Sequence, residues 1–126
     1  RVYRYDVNTG RLAQVFQLPS KAALLHTAIG VSEERLVLGA YGPNPSRADI
    51  GLWASEDEGR RWHACHVFPA GEVRHVHGVS WDPIGQSFWV TTGDEDGECY
   101  LYRFDQEMKH PSRYGDGSQA WRATSG

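Results

Sequence analysis

Two cysteines, one methionine and two lysines are all that this chain of 126 residues holds of those three types. Cys65 and Cys99 are too few to staple a small fold. They could join if adjacent strands brought them together, but two free thiols is the simpler reading. Nothing in the residues predicts a compartment, so localisation stays open. No apolar run approaches the length that crosses a bilayer as a helix, and no membrane partner is expected. The opening residues Arg1-Val2-Tyr3-Arg4-Tyr5 alternate like a strand and lack the apolar core of a secretory leader. Net charge is −3, and the eleven arginines are scattered rather than striped. Such a chain has little with which to neutralise a phosphate backbone, which argues against a nucleic-acid partner.

Turn formers and rings are plentiful. Fourteen Gly and six Pro accompany five Trp, six Tyr and four Phe. That mix suits short strands and tight connections better than long helices.

The chain also repeats itself, with a period close to 50 residues. His26-Thr-Ala-Ile-Gly30-Val31-Ser32 aligns with His75-Val-His-Gly78-Val79-Ser80. Arg35 to Gly42 aligns with Gln86 to Gly93, and Gly51 to Ser55 with Glu98 to Phe104. An opening piece, Val2 to Leu12, parallels Leu52 to Trp62 at the same offset. Each unit resolves into short runs bounded by turn residues. The middle unit predicts strands near 26–31, 35–41, 51–55 and 62–68. The last predicts 75–81, 86–92, 99–104 and 119–123, and the first contributes 2–6 and 12–17. A four-stranded antiparallel unit at this spacing predicts an all-β fold of β-propeller blades. A sandwich is the alternative, but sandwiches rarely repeat their own sequence. Residues 1–18 would end one blade, 19–68 would be a full blade, and 69–126 would form the next. About two and a half blades cannot close a ring. The expectation is therefore a piece of a six- or seven-bladed propeller, completed by further blades or by self-association.

Between the third and fourth strands of the middle unit stands Ser55-Glu56-Asp57-Glu58-Gly59-Arg60-Arg61-Trp62. Asp57 can close a turn by accepting N–H groups two and three residues on. Gly59 can take positive φ, Trp62 can pack beneath the turn, and Ser55 can cap it. This segment resembles the Asp-box of the bacterial neuraminidase (BNR) repeat, in the sialidase-like β-propeller superfamily. Arg61 stands where that motif commonly has Thr or Ser. The other units carry degenerate versions at Asp6-Val7-Asn8-Thr9-Gly10 and Phe104-Asp105-Gln106-Glu107. The resemblance implies that Ser55, Asp57, Gly59 and Trp62 are structural and lie away from any catalytic centre.

Two clusters remain for chemistry. His75 and His77 are at i and i+2, side by side about 6.6 Å apart on one face of a strand. On an innermost blade strand they would line the channel. Such a pair binds zinc if a third ligand arrives from elsewhere; otherwise it is a polar lining. The loop Asp94-Glu95-Asp96-Gly97-Glu98 holds four acids in five residues. It faintly parallels a calcium loop but lacks the spacing of an EF-hand, and a solvated acidic loop is the plainer reading. No cofactor is assigned; calcium and zinc are the two metals the residue types admit. Gly117 to Arg122 resembles a segment of BNR-like proteins. His75, His77, Asp94, Asp96, Glu98 and Arg122 are the candidate ligand-binding residues.

A sialidase would need an arginine triad, a Tyr–Glu nucleophile pair, an acid/base Asp and an Arg-Ile-Pro signature. No Arg-Ile-Pro occurs in the chain. The expected role is a propeller module that binds a glycan or a protein through its channel face. A glycoside hydrolase whose other catalytic residues lie outside the chain is one alternative, and a scaffold or assembly factor is another.

Overall fold

The computed structural model describes residues 1–19 and 22–123. It is all-β: ten strands in three antiparallel sheets, with one turn of 3-10 helix and no α-helix among the described residues. Strands β1 (Val2–Asp6) and β2 (Arg11–Phe16) form a two-stranded hairpin. β3 (Ile29–Val31), β4 (Leu36–Gly39), β5 (Ile50–Ser55) and β6 (His63–Phe68) form a four-stranded meander. β7 (Val76–Asp82), β8 (Ser87–Thr92), β9 (Cys99–Asp105) and β10 (Ser112–Gly117) form a second. No sheet closes on itself among the described residues.

Alternation along the strands builds the core. Val37, Leu52, Ala54 and Phe68 from one meander meet Val76, Val79, Phe88, Val90 and Phe104 from the other, all buried. The first strand of the second meander lies on the first two of its neighbour. Val76 N–H donates to the Ala40 carbonyl and Val79 N–H to that of Thr27, both at 2.9 Å. Gly30 and Gly39 make this approach possible, since a Cβ at either would overlap Val79 or Val76 respectively. The hairpin docks on the other side of the middle meander, where Phe16 packs on Trp53 and Trp62 at centroid distances of 5.7 and 5.9 Å.

The strand expected at 119–123 is corrected. The fourth strand of the last meander is Ser112–Gly117, and Gln119–Trp121 forms the 3-10 turn. The reason is local. Asp105 takes the N–H groups of Glu107 and Lys109, both at 2.9 Å, so the chain reverses at once and pairs Ser112 with Arg103. Gly115 and Gly117, at φ 102° and 86°, then break the ladder and release the chain.

The turn at Ser55–Trp62 forms at its expected place, with its bonds differently shared. Ser55 Oγ donates to Asp57 Oδ1 at 2.9 Å and accepts Gly59 N–H at 2.9 Å. Asp57 takes the N–H of Arg61, four residues on, at 2.8 Å, and Arg61 Nε at 2.8 Å. Trp62 precedes β6 and donates its indole N–H to the Gly59 carbonyl at 3.0 Å. Cys65 and Cys99 are both free. Burial pushes the Cys65 thiol up to about 11, an unreactive state.

Candidate functional site

The site is assembled where β7 begins. The ladder between β7 and β8 slips between Val76 and Gly78, so that Val76 faces Thr92 while Gly78 faces Thr91. His77 is the extra residue of this bulge. Bulges re-aim side chains, and here one turns the His77 ring toward His75. Their Nε2 atoms are 2.8 Å apart, and the rings are only 2% and 3% exposed. His75 Nδ1–H donates to the Gly42 carbonyl at 2.7 Å, which leaves its Nε2 as the acceptor end. Tyr41 covers the other face of His75 at a centroid distance of 4.2 Å.

Asp94 closes the group from the β8–β9 loop. Its Oδ2 is 3.3 Å from His75 Nε2 and its Oδ1 is 3.1 Å from His77 Nε2. Two arginines approach the same carboxylate: Arg122 Nη2 at 3.1 Å and Arg74 Nη1 at 3.7 Å. Burial works to raise the Asp94 carboxyl, but His75, His77 and Arg122 outweigh it and hold it below the usual carboxylate range. Burial, reinforced by His75, lowers His77, which disfavours its protonated form. Asp94 therefore faces its histidine neighbours as an ionised carboxylate.

The loop itself is rigidly held. Gly93 sits at φ 88°, and a Cβ there would collide with the backbone of Glu98. Glu98 folds back so that its Oε1 accepts the N–H groups of Asp94 and Glu95 at 3.2 and 3.1 Å. Arg47, from the β4–β5 connection, clamps Glu98 with a 2.8 Å bond from Nε. Burial alone would raise Glu98; the Arg47 bond reverses this and keeps it ionised.

The candidate residues thus divide. His75, His77, Asp94 and Arg122 converge on one point. Glu98 supports that point from behind, through Arg47 and the loop N–H groups. Asp96 turns elsewhere, accepting Gln119 N–H at 3.0 Å. Of the four loop carboxylates, Asp94, Asp96 and Glu98 engage different partners, Glu95 lies 3.6 Å from Arg47 and 3.7 Å from Arg74, and the four do not converge on one point. His26, aligned with His75 in the repeat, is exposed and stands before β3, apart from the cluster. Arg74, Tyr41 and Arg47 escaped the sequence reading. Arg74 abuts the histidine pair and could have been suspected from that position; Arg47 lies 51 residues from Glu98 and carries no local signal.

A groove of about 710 Å³ borders the Tyr41–Gly42 segment and is lined also by Pro43, Pro45, Ile50 and Trp53. It holds no convergent charged groups, so the chemistry lies with the histidine–aspartate cluster.

The chain matches no known family model, no curated protein and no solved structure. What it does has to be argued from the site itself.

Proposed function

We propose that this chain is a BNR/Asp-box module of the propeller type that binds a carbohydrate through the face built around Asp94. The carrying observation is the convergence of His75, His77, Asp94, Arg74 and Arg122 from three separate stretches of chain. A saccharide is recognised by fixed donors and acceptors beside an aromatic surface. Asp94 and its two arginines supply the first, and half-exposed Trp121, next to Arg122, supplies the second. The propeller reading draws support from two meanders of four strands stacked face to face with their first strands in contact, and from the Asp-box turn between the third and fourth strands of the middle unit.

Binding is favoured over hydrolysis by this chain alone. Tyr102 donates to Glu72 Oε1 at 2.7 Å, which is a Tyr–Glu pair in composition. Burial and the acidic partner push the Tyr102 phenol far up, opposite to what a nucleophile needs. Tyr102 is also part of the core between the sheets.

A glycan array followed by calorimetry on the best ligand tests the reading. Asp94→Ala and Arg122→Ala should each weaken binding about tenfold or more, in line with loss of a charged hydrogen bond. Binding unchanged in both variants, or no saccharide bound at all, would overturn it.

A further inference from the structure

We propose that His75, His77 and Asp94 form a mononuclear site for a divalent transition-metal ion, with two imidazole nitrogens and one carboxylate as its protein ligands. The proposal rests on the reading of this face as the functional one, though not on the ligand being a saccharide.

The spacing is the first argument. With metal–ligand bonds of about 2.1 Å, neighbouring ligand atoms lie about 3.0 Å apart at octahedral angles and about 3.4 Å apart at tetrahedral ones. The two Nε2 atoms are 2.8 Å apart, and each meets a different oxygen of Asp94, His77 at 3.1 Å from Oδ1 and His75 at 3.3 Å from Oδ2, so the carboxylate spans both nitrogens at ligand-to-ligand range. Protons supply the second argument. The Gly42 carbonyl takes the Nδ1–H of His75, so a neutral His75 offers a lone pair at Nε2. If His77 carries its proton on Nε2, one nitrogen pair and one nitrogen–carboxylate pair are satisfied. The contact between His75 Nε2 and Asp94 then remains acceptor against acceptor. Moving that proton to Nδ1 of His77 leaves all three contacts so. Protonating both Nε2 atoms sets donor against donor at 2.8 Å. With an ionised carboxylate, no placement of the imidazole protons makes all three contacts donor against acceptor, whereas one cation between the three groups suits them together.

The surroundings fit as well. The His75–Gly42 bond is the outer-shell contact that fixes the tautomer and ring angle of a ligating histidine, and Arg122 holds the carboxylate in the same way. Imidazole nitrogens favour zinc and the neighbouring first-row ions over calcium or magnesium. The rings are sealed, while Asp94 is 23% exposed, which leaves its side of the group as the entry. Three protein ligands leave further positions on the ion, bordered by Arg74 and Arg122. An added acidic group suits that border.

The test is zinc titration of the whole chain, stripped with chelator, by calorimetry. One ion per chain is expected. His77→Gln and Asp94→Asn should each weaken binding by well over about 100-fold, more than the loss of an outer-shell contact. His110→Gln, on an exposed histidine outside the group, should leave it unchanged. Cobalt(II) added to the unmodified chain gives a readout independent of variant folding, as paramagnetic shifts of the His75 and His77 ring protons. Absence of saturable zinc binding, cobalt(II) that leaves both rings unshifted, or variants that bind zinc as well as the parent would each overturn the proposal. Saccharide binding that persists in chelator without zinc uptake would remove the metal and leave the carbohydrate reading standing. Zinc uptake with no saccharide bound would do the reverse.

Discussion

Asp57 carries the clearest single-residue consequence. The guanidinium of Arg61, then its backbone N–H, then the Ser55 hydroxyl hold its carboxyl well below the usual carboxylate range, against a smaller opposing effect of burial. Asp6 is lowered in the same direction by the N–H groups of Thr9 and Asn8. A carboxyl lowered in the folded state adds stability above its unfolded value near 3.8, and that stability drains as pH falls toward the folded value. The chain should therefore lose stability below about pH 4, as read by denaturant melts at pH 6 and pH 3. Asp57→Asn should be less stable than the parent at pH 6 and should lose less on going to pH 3. Equal losses in the two proteins would show that this turn contributes nothing to acid sensitivity. Arg61 is absorbed by the same turn through its own bond to Asp57.

At the scale of elements, two glycines decide how the strands and the acidic loop meet. Gly39 lies where β7 crosses β4, and any Cβ there overlaps Val76. Gly39→Ala should cost about 1–3 kcal/mol through overpacking, measured as a shift in denaturant midpoint. Gly93 is different in kind, because its left-handed backbone turns the chain from β8 into the acidic loop. Gly93→Ala should cost about 1–3 kcal/mol in strain and, in addition, displace Asp94. Zinc and saccharide affinities should fall together in that variant, while Gly10→Ala, at a left-handed φ of 70° in the β1–β2 turn, keeps both. That contrast separates a loop that positions the site from one that merely connects strands.

The whole molecule carries exposed rings and open edges that a finished β-protein covers. Tyr3, Tyr5 and Leu12 face outward from the two-stranded hairpin, and Val31 and Tyr114 are exposed on the two meanders. β6, β10 and the hairpin leave strand edges unpaired among the described residues. Edges and apolar faces of this kind associate unless another segment covers them. In sedimentation velocity the chain should self-associate with rising concentration. A Tyr3→Glu, Tyr5→Glu double variant should reduce that association without altering zinc uptake. A strictly monomeric parent across the concentration range would count against the propeller reading.

The all-β architecture was legible in the residues. A period near 50, alternation in segments such as Val2–Asp6 and the turn chemistry of Asp57 and Gly59 are all local properties, and they place nine of the ten strands. The remaining strand was displaced because Trp121 reads as a strand residue locally, while the Asp105 turn made Ser112–Gly117 pair first. For the site, His75, His77 and Asp94 could be named from residue type and spacing, and Arg122 only from a segment that resembles one in BNR-like proteins. Their convergence could not, because it depends on a bulge at His77, on a loop folded back by Glu98, and on Arg47 arriving from the neighbouring sheet. Local sequence governs φ, ψ and side-chain alternation over a few residues. Which carboxylate meets which histidine is set by the register of strands and the packing of sheets, and those exist only once distant parts of the chain have come together.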